Sequence, residues 1–126
     1  MASFARWPDI AFVGVEPGVK PAVALSRSQR VAVMVTPATS RSERLRALIR
    51  DHASQTQVHV EACPGLAGAI ERGIADGPEL RALLAPHVDR LRAAASDTVV
   101  LGCTHYPFVA GTLQAMLGTQ VRLVDT

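Results

Sequence analysis

Apolar and polar positions alternate along this chain in blocks, short β-branched runs followed by longer stretches with a helical repeat. Ile10 to Gly14 is a short apolar run and predicts a first strand. Glu16-Pro17-Gly18 reads as a turn, and Val19 to Leu25 as a helix. Arg30 to Val35 is β-branched and almost wholly apolar, the pattern of a strand buried on both faces. After the loop Thr36-Pro37-Ala38-Thr39, Ser40 reads as a helix N-cap, with Glu43 completing a capping box. Leu45, Leu48 and Ile49 give that helix one apolar stripe, running to about His52.

Val58 to Ala62 predicts the next strand. Pro64 opens a helix through Leu66, Ala69 and Ile70, with Gly73 as its C-terminal cap. Pro78 opens another, carrying Leu80, Leu83 and Leu84, and Pro86 is expected to break or kink it before Val88 and Leu91. Thr98 to Leu101 is a strand, Pro107 to Leu117 a helix closed by Gly118, and Val121 to Val124 a last strand. Strands alternating with helices predict an α/β fold, a three-layer domain whose short, mostly parallel sheet is flanked by helices. Residues 1–126 read as one domain, and the end directly after a strand suggests a cut through a larger fold.

Composition narrows the class. Hydrophobic residues make up 48% and aromatics only 4%, so the core must be aliphatic. A net charge of +2 gives no argument for nucleic acid. Arginines do gather at Arg27, Arg30, Arg41, Arg44, Arg46 and Arg50, as a solvated face or as an anion-binding patch. Two cysteines make no disulfide framework. No stretch reaches the length of a membrane span and the N-terminus lacks a signal-peptide core, so a cytoplasmic location is expected.

Candidate chemistry gathers at Gly102-Cys103-Thr104-His105-Tyr106-Pro107, where a strand hands over to a helix. Ligands bind at that end of the strands in open α/β sheets. Free N–H groups at a helix start favour a thiolate, and Cys103 is either such a thiolate or a packed, inert side chain. If the strand geometry persists to 105, Cys103 and His105 face the same way. Cys63, in Ala62-Cys63-Pro64-Gly65, reads as a small buried residue at a tight turn. Its spacing to Cys103 and a histidine matches no structural zinc pattern. Glu71 reads as a solvent-facing helix charge, and Thr36 and Thr39 as loop caps at the ligand end of a strand.

Taken together the chain resembles bacterial glutamate racemase, of the cofactor-independent aspartate/glutamate racemase superfamily. The matching stretches are Phe12-Val13-Gly14-Val15-Glu16-Pro17 with Lys20-Pro21-Ala22, Thr36 with Thr39, and Ser42-Glu43-Arg44. Cys63-Pro64-Gly65-Leu66, Ile70-Glu71-Arg72-Gly73 and Val99 to Pro107 complete the set. The resemblance implies one of two similar α/β domains with the active site between them. It implies proton transfer at the α-carbon of glutamate by two cysteines, supplying D-glutamate for peptidoglycan. Cys103 would be one of the two, tuned by His105, with Glu71 assisting. Thr104 and His105 would bind substrate, and Thr36 and Thr39 would line the pocket.

No metal, pyridoxal phosphate or flavin is implied. The partners implied are the N-terminal half of the family fold or an equivalent second chain, a homodimer being one such arrangement. That half carries Asp-Ser-Gly and Cys-Asn-Thr segments, and neither occurs here. Cys63 matches a different family position, so the chain alone is expected to be catalytically incomplete. Two other readings compete: a racemase-derived module that binds a protein or anionic partner through Arg41 to Arg50, and hydrolysis by a Cys103–His105 pair.

Overall fold

The computed structural model describes residues 19–52, 55–74 and 76–125. The expected strand at Ile10 to Gly14 and the turn at Glu16-Pro17-Gly18 lie outside them. In chain order the elements are α1 (19–25), β1 (Arg30–Val35), α2 (Pro37–Ser40), α3 (Glu43–His52), β2 (Gln57–Ala62) and α4 (Leu66–Glu71). They continue with α5 (Gly77–Ala93), β3 (Thr98–Leu101), a 3₁₀ turn (Tyr106–Val109), α6 (Ala110–Leu117) and β4 (Arg122–Asp125).

The four strands form one sheet in the order β2-β1-β3-β4, and every pairing is parallel. Val35 stands opposite Ala62, Met34 opposite Leu101, and Leu101 opposite Asp125. Successive side chains of a strand point to opposite faces, and this divides the core in two. Ala32, Met34, Val99 and Leu101 pack under α4, α5 and α6, against Leu66, Leu80, Leu84, Leu91 and Leu113. Val31, Val33, Val35 and Val100 face the other way, against Val19 and Ala22 of α1 and Leu45 and Leu48 of α3. The three-layer α/β expectation therefore holds, and among the described residues the sheet is wholly parallel.

Two local expectations change. Thr36 and Pro37 are themselves a start signal, so the short α2 opens before the longer helix: the Thr36 hydroxyl accepts the Thr39 N–H, with Pro37 in the first turn. Ser40 then donates to the Pro37 carbonyl at 2.6 Å, and Ser42, not Ser40, caps α3 by accepting the Leu45 N–H at 3.1 Å. No capping box forms; Glu43 pairs with Arg46 at 3.0 Å instead. Pro86 neither ends nor splits α5, which runs through it from Gly77 to Ala93. Pro86 is exposed, as is Ala82, whose carbonyl loses its helical donor and can turn to water. On the opposite side Leu80, Leu84, His87, Val88 and Leu91 are buried. Each buried leucine contributes roughly 1.5–3 kcal/mol, enough together to outweigh a proline cost of about 3 kcal/mol.

Candidate active site

The site forms where β1 and β3 end side by side. Gly102 follows β3, and its N–H donates to the Met34 carbonyl of β1 at 2.8 Å. A Cβ at Gly102 would stand 2.7 Å from the Met34 oxygen and 2.9 Å from a Val35 methyl. The glycine is therefore required for close approach of two backbones rather than for a sharp turn. It presses the next residues against the end of β1.

The strand does not persist beyond Leu101. Residues 103–105 turn into the 3₁₀ segment, the Tyr106 N–H donating to the Cys103 carbonyl at 3.1 Å and the Phe108 N–H to that of His105 at 3.2 Å. Cys103 and His105 meet through this turn rather than along a strand, with Sγ 3.7 Å from Nδ1. His105 Nε2 lies 3.3 Å from Oε2 of Glu71, at the end of α4. With Glu71 accepting a proton on Nε2, Nδ1 is left to face the sulfur. Cys103, His105 and Glu71 thus form a thiol–imidazole–carboxylate line at the ligand end of the sheet. The carboxylate is 64% exposed and the imidazole 34%, so water screens this link and its strength is modest. Among the described residues no backbone N–H bonds to the sulfur; His105 is its hydrogen-bonding neighbour.

Thr36 and Thr39 stand at the end of neighbouring β1, with Thr36 Oγ1 3.1 Å from Thr39 Oγ1. They share the strand-end rim with Cys103, while their hydroxyls bond to each other and to backbone. Thr104 is exposed in the turn itself.

Cys63 occupies the equivalent place after β2, but its surroundings are opposite. It is 1% exposed, and its thiol donates to the Glu61 carbonyl at 3.5 Å. Burial pushes this thiol up to about 12, and the Glu61 charge adds to the effect. The Tyr106 hydroxyl lies beside it, fully buried, without a partner of hydrogen-bond geometry among the described residues. Burial, then the neighbouring thiols, hold that phenol above its ordinary range. The described residues contain no group of three or more side chains suited to a metal ion.

A polar cluster escaped the sequence reading. Glu61 is 2% exposed on β2, facing α5. Its carboxylate lies 2.8 Å from His59 Nε2, 2.6 Å from His87 Nδ1 and 2.7 Å from Arg90 Nε. Burial opposes its ionisation, but His87, His59 and Arg90 outweigh it and hold the carboxyl below its usual range. The cluster fastens the edge strand β2 to α5. The one sequence signal was polar residues at 59 and 61, alternating with Val58 and Val60.

The geometry can be set beside known proteins. Residues 9–126 match the family model described as Asp/Glu/Hydantoin racemase. The chain is 46% identical over 121 residues to a glutamate racemase of Pseudomonas syringae pv. tomato, covering 96% of this chain and 44% of that protein. It is 45% identical over 122 residues to a glutamate racemase of Pseudomonas entomophila, covering 97% and 46%. Among solved structures, glutamate racemase isoform RacE1 of Bacillus anthracis superimposes with a TM-score of 0.81 at 26% identity, over 88% of this chain and 42% of that one. The chain belongs to the Asp/Glu/Hydantoin racemase family, and its fold is that of glutamate racemases. It spans less than half the length of these relatives. Among the described residues, no helix is long and apolar enough to cross a membrane.

Proposed function

We propose that this chain supplies one half of a glutamate racemase active site, with Cys103 as one of two acid/base groups. Racemisation takes the α-proton from one face of the amino acid and returns one to the other, so two groups must flank the carbon. The single observation that carries the reading is the Cys103–His105–Glu71 line at the strand end. As a thiolate, Cys103 takes the α-proton of one enantiomer; as a thiol, it delivers one in the reverse direction. His105 orients the sulfur and takes up the thiol proton on Nδ1 as the thiolate forms, and Glu71 holds the imidazole. Thr104 and His105 contact the substrate, and Thr36 and Thr39 line the pocket. No step calls on a cofactor.

The opposing base must come from elsewhere. The sequence holds two cysteines, and the second, Cys63, is sealed in the core as a neutral thiol. The remainder of the family fold, or a second chain, is the partner that supplies it. The cellular role that follows is provision of D-glutamate for peptidoglycan in the cytoplasm.

Polarimetric or coupled-enzyme turnover of L- and D-glutamate tests both claims. The purified chain should not racemise glutamate, and a protein that completes the fold should do so only with Cys103 present. Robust turnover by the chain alone, lost in Cys103→Ala, contradicts incompleteness; turnover that survives Cys103→Ala in the completed protein contradicts the assigned role. A second reading, a non-catalytic module for an anionic or protein partner, draws on the exposed Arg41, Arg44, Arg46 and Arg50. Salt-sensitive partner binding that survives Cys103→Ala, with no turnover in any completed protein, would favour it.

A further inference from the structure

At the opposite end of the sheet from Cys103, where the strands begin, lies a crease of about 330 Å³. Arg27, Arg122, Asp97, Thr119 and Gln120 line it. Arg27 sits in the turn between α1 and β1, and Arg122 opens β4. Neither guanidinium forms an ion pair among the described residues, although the Asp97 carboxylate stands in the same wall.

The carboxylate is already fully bonded. Its Oδ1 accepts the hydroxyls of Ser26 at 2.6 Å and Thr98 at 3.0 Å. Its Oδ2 accepts the N–H groups of Arg27 and Ser28, each at 2.9 Å. Asp97 therefore shapes the turn that carries Arg27, and neither guanidinium pairs with it or with another carboxylate among the described residues.

The other wall is the turn after α6. Gly118 takes a φ of +94° there, and the Gln114 side chain braces the turn, donating to the carbonyls of Gly118 at 2.8 Å and Val121 at 2.7 Å. The Gly118 N–H donates to Gln114 and the Val121 N–H to Gly118. The intervening N–H groups of Thr119 and Gln120 have no acceptor among the described residues. Arg27 and Arg122, without an ion pair among the described residues, and the turn whose Thr119 and Gln120 N–H groups have no acceptor there thus line one concavity, each wall fixed by buttressing bonds of its own.

We propose that this crease is a binding site for a small phosphate-type oxyanion, separate from the Cys103 site and independent of its reading. Guanidiniums pair with phosphate oxygens in a two-pronged geometry, and successive backbone N–H groups form anion-binding hollows. The volume is at the small end of ligand sites, matching a phosphoryl group with a short attachment.

Titration of the ¹⁵N-labelled chain with inorganic phosphate and pyrophosphate, at fixed ionic strength and pH 7, tests this by NMR. The expected result is saturable shifts at Thr119, Gln120, Arg27 and Arg122, with the Cys103 turn unmoved. Arg27→Gln and Arg122→Gln should each raise Kd by about tenfold or more, the loss of one charge-assisted donor group. Both side chains are exposed, so a spectrum of unchanged dispersion is expected for each variant. Arg46→Gln, already paired with Glu43 on α3, should leave Kd unchanged. Shifts that never saturate, an equal Kd in the Arg27 and Arg122 variants, or equal affinity for glutamate would each overturn the proposal.

Discussion

Two cysteines follow two parallel strands of the same sheet, and their surroundings are opposite. Cys63 is sealed under α4 and α5, its sulfur facing a carbonyl and a phenol. Cys103 is half-buried, its sulfur facing an imidazole that a carboxylate holds. Both stand at strand ends, so position in the fold does not separate them. The difference is made by the next few residues. After Cys63, Pro64 and Gly65, with φ of +78°, lead directly into α4 and fold the thiol inward. After Cys103 a 3₁₀ turn intervenes, which swings His105 back onto the sulfur and places Tyr106 in the core. What the sulfur faces at a strand end is therefore set by the turn that follows as well as by the strand.

The largest expected effect tests the polar side of this comparison. Cys103→Ala in a completed racemase should lower turnover by on the order of 10²–10⁴, while Cys63→Ala should leave turnover within a fewfold and instead lower stability. Loss of activity in Cys63→Ala with an unchanged unfolding midpoint would erase the distinction between the two thiols. Next in size, Glu61→Ala should destabilise the chain by about 3 kcal/mol, because His87 and Arg90 lose their buried partner. Urea unfolding measures this, and a cost under about 1 kcal/mol would show that the cluster does not secure β2.

Two pH effects sharpen the picture. Asp97 meets burial, which disfavours its charge, yet its bonds to Ser26, Ser28, Arg27 and Thr98 hold it down at about 2. A carboxyl lowered on folding stabilises the fold above its unfolded value and loses that contribution as pH falls through its folded one. Asp97 should therefore contribute roughly 2 kcal/mol at neutral pH, lost between about pH 4 and 2 and absent in Asp97→Asn. Cys63 acts at the other limit. Its folded thiol is raised to about 12, so its contribution is complete below about pH 9 and declines as pH rises towards 12. Cys63→Ala should flatten the alkaline limb of the stability curve. Smallest of all, Tyr106→Phe removes a hydroxyl that has no partner of hydrogen-bond geometry among the described residues, and should change stability by less than about 1 kcal/mol.

Much of the fold was legible because the strands are simple. Val31–Val35 and Val99–Leu101 are continuous apolar runs, each preceded by one polar residue that also joins its strand. Pro86 misled because a local rule met a helix whose buried face outweighs it. Ser40 misled because Thr36 and Pro37 had already started a separate helix. Cys103 and His105 stood out as a pair, but the strand spacing expected to align them does not hold, and the contact between them is made by the turn instead. The Glu71 contact was not legible: nothing local distinguishes it from any exposed helix glutamate, and its meeting with His105 depends on how α4 packs against the 3₁₀ turn. Glu61 and Asp97 were missed for the same reason, since their partners lie up to 29 and 71 residues away in sequence.

The most direct test of the central claim is peptide-mapped labelling of the native chain with iodoacetamide near neutral pH. Modification is expected at Cys103 alone, slowed in His105→Ala, with Cys63 labelled only after unfolding. Labelling of Cys63 at a comparable rate in the native chain, or a Cys103 rate unchanged in His105→Ala, would contradict it.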